Sequence, residues 1–265
     1  MKEIFKKLFG GQGLAESKQQ NQVCAEHSDS LAGGISCKTQ VYNVVILDRS
    51  GSMADIQEAA VSGFNEIVGG IRSAQKQFAD TQAHFVTLVT FCSSKTEYVY
   101  DRVAIDGVKP LTLDGYRPCC YTPLLDAMGL TLTKLRSFLT DKKDYAVVVT
   151  VITDGLENAS VEFRLDDINM LVSELRAAGW SFSYMGANQD AIKVASSMNI
   201  RNARCYAYSR AGVKECMDTD RAMRESYFTG LDRLKKEEKT RGISFSDEQR
   251  SSRLNTLSED SFDAV

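Results

Sequence analysis

From residue 41 onward the apolar positions of the chain alternate between two periods. Short runs rich in Val, Ile, Phe and Tyr predict strands at 43–47, 85–91, 98–105, 146–152, 180–185 and 204–208. Between them, apolar residues recur at three and four, the spacing of a helix face. Ile56, Ala60, Phe64, Ile67, Val68 and Ile71 form one stripe, and Leu125, Met128, Leu132, Leu135 and Leu139 a second. A third carries Ile168, Leu171, Val172 and Leu175, with Gly179 as its C-terminal cap. A fourth, with Val213, Met217, Met223, Tyr227, Leu231 and Leu234, is long and ends in the charged run 235–239.

The segments 44–47 and 146–152 are apolar at almost every position, as central strands of a parallel sheet covered on both faces must be. The stretch 85–105 leaves no room for a helix between its two strands, which predicts one antiparallel edge strand. The expected fold class is α/β: a doubly wound, mostly parallel central sheet with one antiparallel edge strand and helices on both faces.

Both ends depart from this pattern. Residues 1–40 hold Gly10, Gly11, Gly13, Gly33 and Gly34 with little apolar periodicity, and are expected to be a flexible N-terminal arm. Within it, Ile4, Phe5, Leu8 and Phe9 lie among Lys2, Lys6 and Lys7. A solvated or self-docked arm is the first reading of this short basic amphipathic stretch, and contact of Met1 to Phe9 with a membrane surface or a partner the second. It lacks the apolar run and cleavage site of a secretion signal. Residues 41–238 then form the domain, long helix included, and 239–265, rich in Ser, Arg and acidic residues, are expected to be a disordered tail.

Composition narrows the function. With 265 residues, 43% of them hydrophobic, the chain can bury a substantial core. Its 32 Lys and Arg against 35 Asp and Glu, a net charge of -3 without a long single-sign block, argue against a nucleic-acid partner. No apolar run approaches the roughly 18 residues of a membrane span. The cysteines, at 24, 37, 92, 119, 120, 205 and 216, show no CxxC pair, which predicts reduced thiols in a cytoplasmic protein. Cys119 and Cys120 are read as two loop thiols, with a vicinal disulfide or a soft-metal site as the alternative.

The candidate chemistry follows the two buried strands. Asp48, Ser50 and Ser52 come directly after the first, and Thr153, Asp154 and Gly155 at the end of the other. At the carboxyl edge of an open α/β sheet these carboxylates and hydroxyls converge on one crevice. Oxygen ligands without Cys or His select a hard cation, Mg²⁺ or Mn²⁺ ahead of Ca²⁺ where several waters remain. The alternative is that Asp48 and Ser50 cap the helix that begins near Ser52.

This pattern resembles the von Willebrand factor A (VWA) domain family, whose metal-ion-dependent adhesion site (MIDAS) combines DxSxS, a Thr in a later loop and an Asp after a buried strand. Asp48, Ser50 and Ser52 match the first element, Thr122 in Thr122-Pro123-Leu124 the second and Asp154 the third. The likeness spans about residues 41–210. It implies that Ser50, Ser52 and Thr122 ligate the cation directly while Asp48 and Asp154 act through water or hydroxyl groups. A cation so held keeps its electrophilic character and captures an Asp or Glu carboxylate of a partner protein. Arg49, Tyr116, Arg117, Glu157, Asn158, Ser160, Asn188 and Asp190 are expected at or near the rim.

Enzyme readings have weaker support. A haloacid-dehalogenase-type phosphohydrolase needs a second Asp where Ser50 stands, and no GxxxxGK[ST] segment follows a strand. His27 and His84 are poor material for a nucleophile-base pair. The expectation is a non-enzymatic, metal-dependent protein-binding module, with a scaffold stapled by its metal as the alternative.

Overall fold

The structure, a computed structural model, describes residues 38–154, 156–186, 190–206 and 210–263. Most of the expected arm, the basic stretch 1–9 included, lies outside the described residues. Strand β1 (Thr39–Asp48) starts four residues earlier than its apolar run predicts and is buried continuously from 41 to 48. Its side chains alternate between two layers, Val44 and Ile46 entering one and Val45 and Leu47 the other. β2 (Gln82–Cys92) pairs with it in parallel, and β3 (Lys95–Ala104) returns antiparallel at the edge. β4 (Tyr145–Thr153) joins the other side of β1, followed by β5 (Ser181–Gly186) and β6 (Ala203–Cys205), all parallel. The order β3-β2-β1-β4-β5-β6 is that of a doubly wound α/β sheet with one antiparallel edge, as the patterning predicts.

Helices α1 (Gln57–Gln77), α2 (Leu124–Leu139) and α3 (Leu165–Ala177) coincide with the first three apolar stripes. A fourth helix, α4 (Asp190–Ser197), was not expected: it has eight residues and buries only Ala191 and Ala195, too small a stripe to stand out. α5 (Arg210–Arg241) is the long helix. Leu132, Val172 and Ala195 pack with Val44, Ile46 and Val149 on one face of the sheet. On the other, Phe64 and Ile71 of α1 and Met217 of α5 meet Val45, Val86 and Leu88. No described helix is long and apolar enough to cross a membrane.

The C-terminal segment differs from the disorder expected of 239–265. It contains α6 (Asp247–Ser258) and a π-helical turn, Glu259–Asp263. Ser246 accepts from the backbone N–H of Gln249, whose side chain accepts from the Ser246 N–H, so a capping box starts the helix. Leu254 and Phe262 are buried with Tyr227, Phe228 and Leu231 of α5. Gly179, at φ +89°, closes α3 with the paired bonds of a Schellman motif, Gly179 N–H to Arg176 O and Trp180 N–H to Leu175 O. A Cβ there would stand 2.9 Å from Cβ of Leu254, so the same glycine that ends one helix seats another.

The charged run 235–239 is not a solvated face throughout. Lys235 and Glu238 are buried, and Lys235 donates to Asp144 and, at 3.1 Å, to Glu238. Arg250 of α6 reaches both acids, at 3.0 Å to Asp144 and 2.6 Å to Glu238. Thr39, at the amino end of β1, donates to Asp144 over 2.7 Å. Two cations and two carboxylates thus bind α5, α6 and the start of β1 and β4 into one cluster.

Candidate metal centre

In this sheet the chain winds outward from β1 through β2 to β3, then crosses back to β4 and continues the other way. The crevice outside the carboxyl ends of β1 and β4 is therefore the switch point at which open α/β sheets hold ligands. Asp48 is the last residue of β1, and Thr153 and Asp154 close β4 and follow it.

Five residues meet there through a continuous chain of contacts. Thr153 Oγ1 donates to Asp48 Oδ2 over 2.6 Å, and the Ser50 backbone N–H donates to Asp48 Oδ1 over 2.7 Å. Ser50 Oγ lies 3.2 Å from Ser52 Oγ, and Ser52 Oγ donates to Asp154 Oδ1 over 2.8 Å. Asp48, Ser50 and Asp154 are buried, whereas Ser52 is exposed and opens the cluster to solvent. Ser50 occupies the N-cap of the 3-10 turn Gly51–Ile56, yet its side chain makes no capping bond. Capping thus explains part of what Asp48 does for the turn, but not the Ser50 hydroxyl.

Thr122 is buried on the loop before α2. Asn158 holds it at both backbone ends, its Oδ1 accepting from Thr122 N–H at 2.8 Å and its N–H donating to Thr122 O at 3.1 Å. The preceding residues are laced to the Asp48 loop: Cys119 N–H donates to Arg49 O at 2.9 Å and Gly51 N–H to Cys120 O at 3.0 Å. The three sequence segments thus share one edge of the sheet.

The donors are hydroxyl and carboxylate oxygens, the set that suits a hard cation. Burial pushes the Asp48 carboxyl up to about 6 against its hydrogen bonds from Thr153 and Ser50, and the Asp154 charge adds to the rise. Burial also raises Asp154, with Asp55 contributing. These carboxylates repel one another in a site of low polarity, which a cation between them would relieve.

The expected rim residues divide into several roles. Tyr116 is not at the rim but fully buried, its hydroxyl donating to the Asp48 carbonyl. Glu157 braces the loop, accepting from Leu125 N–H at 3.0 Å, from Ala159 N–H at 2.8 Å and from Ser160 N–H at 2.7 Å. Arg49 is mostly covered, 3.6 Å from Glu97 and 3.7 Å from the Cys92 sulfur. Arg117 and Asp190 are exposed and pair locally with Asp114 and Lys193, and Asn188 lies outside the described residues. Sequence reasoning missed two positioning residues. Thr153 was visible only as the residue before Asp154, and Asp126 accepts from the N–H groups of Val161, Glu162 and Phe163 at 2.8–2.9 Å, fixing the loop beyond Asn158.

No protein-family model matches the chain, and no curated protein matches it. Among solved structures, similarity is found to a minor pilin PilB mutant from Streptococcus sanguinis, at 11% identity over 76% of this chain and 64% of that one, TM-score 0.49. It is also found to the manganese-loaded TRAP protein of Plasmodium vivax, at 15% identity over 68% and 74%, TM-score 0.44. A third is proximal thread matrix protein 1 from the mussel byssus with a zinc-occupied MIDAS motif, at 16% identity over 69% of this chain, TM-score 0.43. The chain spans 45% of that mussel protein's length. All three overlaps are loose.

Proposed function

We propose that the crevice at the carboxyl ends of β1 and β4 binds a divalent hard cation, Mg²⁺ or Mn²⁺, and that the bound cation captures an Asp or Glu side chain of a protein partner. Ser50, Ser52 and Thr122 are the direct ligands in this reading, and Asp48 and Asp154 stand behind them. The observation that carries it is the unbroken series Thr153–Asp48–Ser50–Ser52–Asp154 at the switch point, which joins in space two of the three segments that resemble a MIDAS in sequence, while the loop before Thr122 is bonded to the Asp48 loop through its backbone.

The chemistry supplied by the cation is Lewis acidity toward a carboxylate. The chain's own residues orient it: Thr153 fixes one Asp48 oxygen, the turn at Ser50 fixes the other, and Asn158 holds the Thr122 backbone. With neutral hydroxyls as ligands and the acids set back, the positive charge is left partly unquenched for an incoming acid. Apolar side chains on the flanking loops support a protein partner: Tyr121, Leu156 and Val161 are 68%, 55% and 89% exposed.

The test is capture of partners by the purified chain in Mg²⁺ and in EDTA, with Asp48→Ala and Thr122→Ala alongside. Capture is expected to disappear with chelator and in both variants, and each variant is expected to weaken the metal titration at least tenfold with the far-ultraviolet spectrum preserved. An unchanged metal titration in both variants would reject the ligand assignment. A metal that only staples the three segments is the second reading, favoured by their distance in sequence. It predicts loss of thermal stability in EDTA with capture unaffected.

A further inference from the structure

Beside the oxygen cluster, the structure gathers three thiols from two loops. The ligand sulfurs of Cys92, Cys119 and Cys120 all lie within 4.8 Å of one another, and Cys92 Sγ is 3.5 Å from Cys119 Sγ. A tetrahedral ion with metal–sulfur bonds of about 2.3 Å spaces its sulfurs roughly 3.8 Å apart, close to what these side chains already adopt. Ser94 Oγ adds an oxygen 3.0 Å from Cys92 Sγ and 3.9 Å from Cys119 Sγ.

The backbone beneath the thiols is held on both sides. Ser93 N–H donates to Tyr121 O at 3.0 Å and Tyr121 N–H donates back to Ser93 Oγ at 3.1 Å, so the two cysteine-bearing loops are bonded to each other. Cys119 and Cys120 are in turn bonded to Arg49 and Gly51. Cys92 is buried, Cys119 partly open and Cys120 exposed, which gives an ion a path inward. The Arg49 guanidinium, 3.7 Å from Cys92 Sγ, offsets the excess negative charge of three thiolates on a divalent ion.

We propose that Cys92, Cys119 and Cys120 form a second metal site, a trithiolate for a borderline-soft ion of the zinc class, with water or Ser94 in the fourth position. Thiolate donors favour a borderline-soft ion over Mg²⁺, which hydroxyl and carboxylate oxygens suit. This inference does not depend on the function proposed for the oxygen cluster.

The experiment uses the full chain, kept reduced, in saturating Mg²⁺ so that hydroxyl and carboxylate ligands are masked. Co²⁺ is the spectroscopic probe and Zn²⁺ the competitor. One equivalent of Co²⁺ is expected to give a thiolate-to-metal charge-transfer band that Zn²⁺ displaces. Cys119→Ser and Cys120→Ser each weaken Zn²⁺ binding by more than the roughly tenfold loss typical of removing a residue that only supports a ligand. Cys205→Ser leaves the band intact. Cys92→Ser alters a buried position, so alkylation of the unmutated chain supplies an independent readout: Zn²⁺ is expected to protect Cys119 and Cys120 while exposed Cys205 reacts at its metal-free rate. Absence of the band in folded protein, its persistence in the Cys119→Ser/Cys120→Ser double variant, or equal alkylation with and without Zn²⁺ would overturn the proposal.

Discussion

Burial and the Arg224 guanidinium hold the His84 imidazole down at about 3, far below its ordinary range. Its Nε2 lies 3.1 Å from Gln82 Oε1 and its Nδ1 3.4 Å from Asn43 Nδ2, which fits a neutral ring with the proton on Nε2. Phe228 covers the ring edge-on at 4.7 Å. In the unfolded chain His84 protonates near pH 6.5, so between about 6.5 and 3 the unfolded state binds the extra proton and stability falls as the pH falls. Urea denaturation at pH 7 and pH 5 is expected to show the wild type losing about 2 kcal/mol more than His84→Gln over that interval. An equal loss in both proteins would place the titration elsewhere. From sequence, His84 is only poor material for a nucleophile-base pair. Sequence reasoning did locate Asp48, Ser50, Ser52 and Asp154, because their strands announce themselves as buried runs and their positions at the ends are fixed by chain direction. Cys92 could not be associated with Cys119 in this way. Twenty-seven residues and an edge hairpin separate them, and no short spacing records that β2 ends beside the loop before α2.

Helices with long apolar stripes were legible, whereas α4, whose stripe is two alanines, and α6, whose docking draws on buried charge, were not. In α1 and α2 the spacing of Phe64, Ile67 and Ile71, or of Leu125, Met128 and Leu132, is itself the packing face. In α6 the apolar signal is reduced to Leu254 and Leu257 among Ser, Arg and Asn, and its docking draws on Arg250 meeting Asp144 and Glu238. A pattern reading counts each of those charges as solvated. Because the cluster is balanced, removing one member leaves an unpaired buried charge. Lys235→Met is therefore expected to cost about 3–5 kcal/mol in urea denaturation. The change should leave the metal titration intact, since the cluster lies at the amino end of β1 and the candidate centre at the other. A loss below about 1 kcal/mol would mean that Arg250 alone suffices to hold both carboxylates.

At the scale of the molecule, one order of strands unites the two descriptions. β1 is buried continuously from 41 to 48, ends at Asp48 and leads directly into Ser50 and Ser52, so the stability of the sheet and the competence of the site are coupled. Any ion that binds only the folded chain stabilises it by about 2.7 kcal/mol at a hundredfold excess over its dissociation constant. The melting temperature is accordingly expected to rise with Mg²⁺ concentration in the wild type and to stay flat in Asp48→Ala. A parallel rise in both would assign the effect to ions bound elsewhere.

The central pairing also has a consequence for biosynthesis. β1 sits in the middle of the sheet, yet Asn43 meets its neighbour Val148 only after the intervening hairpin and two helices have been made. At translation rates of roughly 5–20 residues per second, this central strand waits for seconds with one hydrogen-bonding edge open. The emerging polypeptide is then most prone to pair with a neighbouring copy, and a holding chaperone has most to contribute before Tyr145 leaves the ribosome.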